Sequence, residues 1–135
     1  MFSFQDLTVK ERDLISKARE AKDKAYAPYS KFKVGAAVLT KEGKIYTGSN
    51  IENASFGLTV CAERVALFKA LSEGERCIET LAVIADVDEP VSPCGACRQV
   101  ILELAKGAKI LLSNKDGSKV IKTTPEELLP YGFTL

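Results

Sequence analysis

The amino-acid sequence predicts an α/β fold: a mixed β-sheet of about five strands sandwiched by helices, in three α-β-α layers. Three observations predict it. Segments with helical and strand periodicity follow one another in the order α-β-β-α-β-α-β-β-α, with helices between the later strands as crossover connections require. Leu81 to Ala85 is a short, wholly apolar run of the kind that fills the centre of a sheet. Finally, 135 residues of which 46% are hydrophobic can bury a full core without disulfides, which predicts one domain over residues 1–135.

Each element has its own local signal. Thr8-Val9-Lys10-Glu11 reads as a capping box, and Leu14, Ile15, Ala18, Ala21 and Ala25 follow at helical spacing, so a first helix is expected to run to about Tyr26. Pro28 ends it, since proline has no N–H to donate and biases Ala27 away from helical geometry. A β-prone stretch from Phe32 to Leu39, a turn at Thr40-Lys41-Glu42-Gly43 and a return over Lys44 to Thr47 make a hairpin. The polar run Gly48 to Asn53 is a loop of the sort that carries binding groups. Val60 to Ser72 is apolar over most of its helical surface, which predicts a buried second helix capped by Gly74. After the strand at Leu81 to Ala85, Ser92-Pro93 supplies a capping side chain and a proline for the first position of a third helix, closed by Gly107. Lys109 to Ser113 and Lys119 to Thr123 are strands about a turn at Asn114 to Gly117, and Thr124-Pro125-Glu126-Glu127 repeats the cap-and-proline signal for a short last helix.

Composition narrows the function. Nineteen Lys and Arg against eighteen Asp and Glu leave a net charge of +1, too weak a field to gather a polynucleotide or an anionic membrane. A small, weakly charged partner is expected. No apolar stretch approaches a membrane span, and the acids in the first thirteen residues are unlike a secretory signal, so the expected location is the cytoplasm. There is no histidine, so any metal site must be built from Cys, Asp or Glu.

The four cysteines then matter through their spacing. Cys61-Ala62-Glu63 stands at the start of one predicted helix and Pro93-Cys94-Gly95-Ala96-Cys97 at the start of another, on what would be the same rim of the sheet. Helix N-termini favour the thiolate, the form that binds zinc. Cys94 and Cys97 can close on one metal ion and Cys61 can complete three ligands, leaving the fourth position of a tetrahedral site open to water. Glu63 is placed to reach that water as a proton carrier without occupying a ligand position. Arg64 and Arg98 are candidates to donate N–H bonds to the sulfurs and offset their negative charge, Arg64 ranking first.

Cys61-Ala62-Glu63 and Pro93-Cys94-Gly95-Ala96-Cys97-Arg98-Gln99 together resemble the signature of the cytidine deaminase superfamily. The resemblance extends to Tyr26-Ala27-Pro28-Tyr29-Ser30-Lys31-Phe32, to Val34-Gly35-Ala36-Ala37 and to Asn50-Ile51-Glu52-Asn53-Ala54. Over nearly the whole chain it is to the short, three-cysteine cytidine deaminases that act on free nucleosides. It implies one zinc ion per subunit and hydrolysis of cytidine and 2′-deoxycytidine to uridine and 2′-deoxyuridine with release of ammonia, in pyrimidine salvage. In that reaction hydroxide generated on zinc attacks C4, and Glu63 protonates N3 and then the departing amine. The resemblance further implies that Asn50 and Glu52 bond the ribose and that Phe32 packs on the pyrimidine. Ala54, through its backbone, and Phe133 would come from neighbouring subunits of a homotetramer whose sites lie at subunit interfaces.

Plainer readings stand beside these. Cys77 could close a structural four-thiolate site, making the chain a non-catalytic zinc module, although a simple buried thiol is the expected role for it. Phe32 could be a core residue heading a strand, Asn50 and Glu52 turn residues, and Phe133 a docked chain end. An enzyme alternative is a deaminase of a cytosine-bearing antibiotic such as blasticidin S, which shares the cysteine core.

Overall fold

Thr8 begins the first helix in the manner its sequence requires. Its Oγ1 accepts the Glu11 N–H at 3.2 Å, and the Glu11 carboxylate accepts the Thr8 N–H at 2.9 Å. The computed structural model describes all 135 residues. In chain order they form α1 (Val9–Lys22), β1 (Val34–Thr40), β2 (Ile45–Ser49), α2 (Ala62–Ser72), β3 (Ile78–Ala85), α3 (Gly95–Leu104), β4 (Lys109–Ser113), β5 (Val120–Thr123) and α4 (Pro125–Leu128). The strands make one mixed sheet in the order β2-β1-β3-β4-β5. Only β3 and β4 run parallel, joined by the crossover that contains α3; the other neighbours are antiparallel.

The period of two along the strands splits the core between the two faces of the sheet. Ala37, Leu39, Ala82, Ile84 and Leu111 face Leu14, Ile15 and Ala18 of α1. Ala36, Val38, Leu81, Val83 and Ile110 face Ala62, Ala66, Leu67 and Ala70 of α2 and Ile101 of α3. Burying a Leu or Ile side chain of this kind contributes about 1.5–3 kcal/mol. The result is the predicted three-layer arrangement, and two glycines set its thickness. A Cβ on Gly35 would meet the Ala18 carbonyl oxygen at 2.0 Å, and one on Gly48 would meet the Ala66 nitrogen at 2.5 Å and the Ala62 oxygen at 2.8 Å. Both helices therefore rest directly on strand backbone.

Several boundaries differ from expectation. The first helix stops at Lys22 rather than near Tyr26, because the Tyr26 backbone is engaged elsewhere: its N–H donates to Asn50 and its carbonyl accepts from Glu52. Phe32 lies outside the sheet, two residues before β1 begins, and β2 reaches Ser49, which local sequence suggests for the loop. β3 begins at Ile78, three residues early. The third helix is capped by Cys94 and not by Ser92, since Pro93 precedes the cap instead of opening the helix. Cys77 is exposed rather than buried. It sits just before β3, at the end of the strand opposite Ala85.

Register then collects one rim. Val34 at the start of β1 pairs with Ala85 at the end of β3, and Gly35 pairs with Ser49 at the end of β2. Just beyond β2, Ile51 bridges to Val60, which delivers the chain to the N-terminus of α2.

Candidate active site

Two helix tips carry the cysteines. Cys61 is the N-cap residue of α2 and Cys94 that of α3, both with extended backbone. The Cys94 sulfur accepts the Cys97 N–H at 3.4 Å in the place where a Ser or Asp cap would put oxygen. The Sγ atoms of Cys61 and Cys94 are 3.8 Å apart, and those of Cys61, Cys94 and Cys97 all lie within 4.8 Å of one another. Cys77 is not part of the group. Tetrahedral zinc with bonds of about 2.3 Å places its sulfurs about 3.8 Å apart, so the set fits that ion and offers three ligands.

Charge around the cluster is arranged for thiolates. Arg64 donates from Nη2 to the Cys61 sulfur at 3.4 Å, and its Nε is buried with no partner in the protein. The Cys97 thiol and the Arg64 guanidinium, working against burial, bring Cys61 down to about 5. Cys97 is pushed up by its bond to Cys61 and by burial. Arg98, the other arginine considered for the sulfurs, does different work. It donates to the Pro93 carbonyl at 2.8 Å, the Leu128 carbonyl at 2.7 Å and the Ser92 hydroxyl at 2.5 Å, which ties the approach to Cys94 onto the end of α4.

Glu63 is buried, at 4% exposure, on the first turn of α2. Loss of hydration pushes its carboxyl up to about 7, and the Cys61 charge adds to the rise. Its own N–H, the Cys97 thiol and Arg64 pull the other way. A carboxyl near neutrality beside a metal-ligand cluster is suited to accepting and returning protons.

The remaining candidates fall into two groups. Phe32, Asn50 and Glu52 are brought together. Asn50 is buried, and its side chain spans the loop: Nδ2 donates to the Phe32 carbonyl at 2.7 Å and Oδ1 accepts the Val34 N–H at 2.9 Å. Glu52 accepts the Tyr29 and Ser30 N–H groups at 2.9 and 3.2 Å and the Ser30 hydroxyl, and that hydroxyl leads in holding its carboxyl below the ordinary value. Phe32 is 41% exposed. Lys31, between Ser30 and Phe32, has φ of 60°, a left-handed conformation that costs a non-glycine residue about 1 kcal/mol or more. An open cavity of about 410 Å³ adjoins this loop, lined by Tyr29, Ser30, Glu52, Phe56 and Thr59. Ala54 and Phe133 are exposed and lie apart from this network. Phe133 is held to α3, its carbonyl accepting from Gln99 Nε2 at 2.9 Å. The roles of Tyr29 and Ser30 escape a reading of the sequence, because nothing local shows that their donors turn toward a residue more than twenty positions away.

Comparison with known proteins agrees with this geometry. The cytidine and deoxycytidylate deaminase zinc-binding region matches residues 8–113. A cytidine deaminase of Halalkalibacterium halodurans is 55% identical over 122 residues, covering 90% of this chain and 92% of that one. A blasticidin-S deaminase of Bacillus cereus is 37% identical over 113 residues, covering 78% and 79%. The crystal structure of cytidine deaminase from Burkholderia pseudomallei superposes with a TM-score of 0.88 at 48% identity, covering 94% of this chain and all of that one. Sequence, fold and the sulfur cluster converge, and the chain belongs to the cytidine and deoxycytidylate deaminase family of zinc-binding hydrolases.

Proposed function

We propose that this protein hydrolyses cytidine and 2′-deoxycytidine to uridine and 2′-deoxyuridine with release of ammonia, as a step of pyrimidine salvage in the cytoplasm. The observation that carries the reading is the meeting of three cysteine sulfurs at two helix tips with the buried carboxyl of Glu63 on the first turn of α2.

Cys61, Cys94 and Cys97 would hold one zinc ion per subunit, which supplies the Lewis acidity that brings ionisation of a water molecule to near-neutral pH. Arg64 bonds the Cys61 sulfur and limits the negative charge that three thiolates accumulate. Glu63 takes the proton of the attacking water, delivers it to N3 of the pyrimidine and returns a proton to the amine as it leaves C4. Its burial keeps bulk water from exchanging that proton. Phe32 offers an apolar wall for the base, and Asn50 and Glu52 face the sugar, with acceptors suited to hydroxyl donors. Four copies would assemble with sites at their interfaces, the Ala54 backbone and Phe133 completing a neighbour's site. The exposed apolar side chains Ile51, Leu58, Phe68 and Phe133 are of the kind such contacts cover.

The blasticidin-S deaminase relative supports a second reading, in which the substrate is a cytosine-bearing antibiotic. Ultraviolet absorbance of cytidine with and without a zinc chelator tests the first. Loss of the cytidine spectrum that stops on chelation is the expected result. An unchanged spectrum, with blasticidin S consumed instead, would transfer the activity to the antibiotic.

A further inference from the structure

Ser30 sits where two of the substrate-facing residues meet. Its hydroxyl donates to Oε2 of Glu52, while Oε1 of the same carboxylate accepts the Ser30 N–H at 3.2 Å. The hydroxyl oxygen in turn accepts the Phe32 N–H at 3.0 Å. A serine hydroxyl has one proton and two lone pairs, so the proton is committed to Glu52 and a lone pair to Phe32. The Phe32 carbonyl accepts from Asn50 Nδ2 at 2.7 Å. Phe32, Asn50 and Glu52 thus form one hydrogen-bonded unit, closed at Ser30 across the left-handed Lys31.

We propose that Ser30 is a positioning residue for the deamination, setting the Glu52 carboxylate and the Phe32 ring in one fixed relation before the nucleoside arrives; this rests on cytidine being the substrate. With Oε1 already holding two N–H donors and Oε2 one hydroxyl, the remaining lone pair of Glu52, on Oε2, points in a set direction. The carboxylate accepts a sugar hydroxyl without first reorganising. Pre-organisation of this kind acts on binding and leaves the chemistry at C4 untouched.

The test is steady-state kinetics on cytidine for the zinc-loaded enzyme and for Ser30→Ala, Ser30→Thr, Glu52→Gln and the double variant Ser30→Ala/Glu52→Gln. Ser30→Ala removes a charge-assisted hydrogen bond and is expected to raise KM about tenfold with kcat within about twofold. Ser30→Thr keeps the hydroxyl and restores KM. The double variant is expected to cost little more than Glu52→Gln alone, since Ser30 acts largely through that carboxylate. Zinc content and thermal unfolding, followed alongside, keep a folding defect distinct, and Ser30→Cys supplies a graded intermediate if the alanine variant does not fold. An unchanged KM, a loss confined to kcat, or fully additive penalties would overturn the proposal while wild-type turnover leaves the substrate reading intact. A wild type inert to cytidine would sink both.

Discussion

Arg64 lies one helical turn beyond Cys61 and donates to its sulfur from Nη2 at 3.4 Å, while the Arg64 Nε is buried and bonded to nothing in the protein. A buried donor without a partner costs about 1–3 kcal/mol, so the side chain is held here by its other bond, to the Cys61 sulfur. Replacing Arg64 by Ala is expected to weaken zinc retention roughly ten- to a hundredfold, the usual effect of losing a partner behind a metal ligand. Competition with a chromophoric chelator measures this. Affinity equal to wild type would show that the guanidinium does not act on the thiolate.

Glu63 has a separate test, because its proposed role is to carry protons and not to ligate the metal. Glu63→Gln preserves shape and burial but removes the exchangeable proton. Zinc content is expected to stay at one per chain while turnover of cytidine falls about a hundred- to ten-thousandfold. Activity near the wild-type level would remove Glu63 from the proton path.

Gly48 governs how closely α2, and with it Cys61, approaches the sheet. A methyl group there would press on the Ala66 nitrogen and Ala62 oxygen, both backbone atoms that have no room to yield. Gly48→Ala should therefore destabilise the fold by about 1–3 kcal/mol and lower zinc retention as the tip of α2 shifts. Gly57→Ala, where nothing lies within 4 Å, is the control and should stay within about 0.5 kcal/mol of wild type. Urea unfolding of the two variants compares them directly.

Glu11 gives the fold an acid limit. It is 3% exposed, and burial alone would raise its carboxyl. Lys109 at 2.5 Å, the Thr8 N–H at 2.9 Å and Lys122 at 3.1 Å more than offset this and hold it at about 2, against an ordinary 4.5. The folded pKa is the lower one, so the stabilisation is complete above pH 4.5 and is lost as pH falls toward 2. The shift corresponds to at most about 3 kcal/mol, reduced by the partial exposure of both lysines. Glu11→Gln should be about 1–3 kcal/mol less stable than wild type in urea at about pH 7 and should converge with it near about pH 2. A gap independent of pH would point to packing rather than charge.

What could be read along the chain was what local chemistry controls. The Thr8 and Thr124 caps and the positive-φ glycines at the ends of turns involve partners within a few residues, and the apolar runs of β1 and β3 show in composition alone. The three cysteines were also legible as a set, since two helix starts at the same rim leave little freedom in where their first turns point. Tertiary structure decided the rest. Arg64 and Arg98 have the same donor fork and each lies three or four residues beyond the cysteine that caps its helix, yet Arg98 is drawn off the sulfurs by the nearby Pro93 carbonyl and Ser92 hydroxyl and, across the fold, by the Leu128 carbonyl. Cys77, just before β3, is exposed, and Ser30 binds Glu52 because the loops before β1 and after β2 fold onto each other. A side chain with several donors satisfies whichever acceptor the completed fold brings near, and no local pattern encodes that choice.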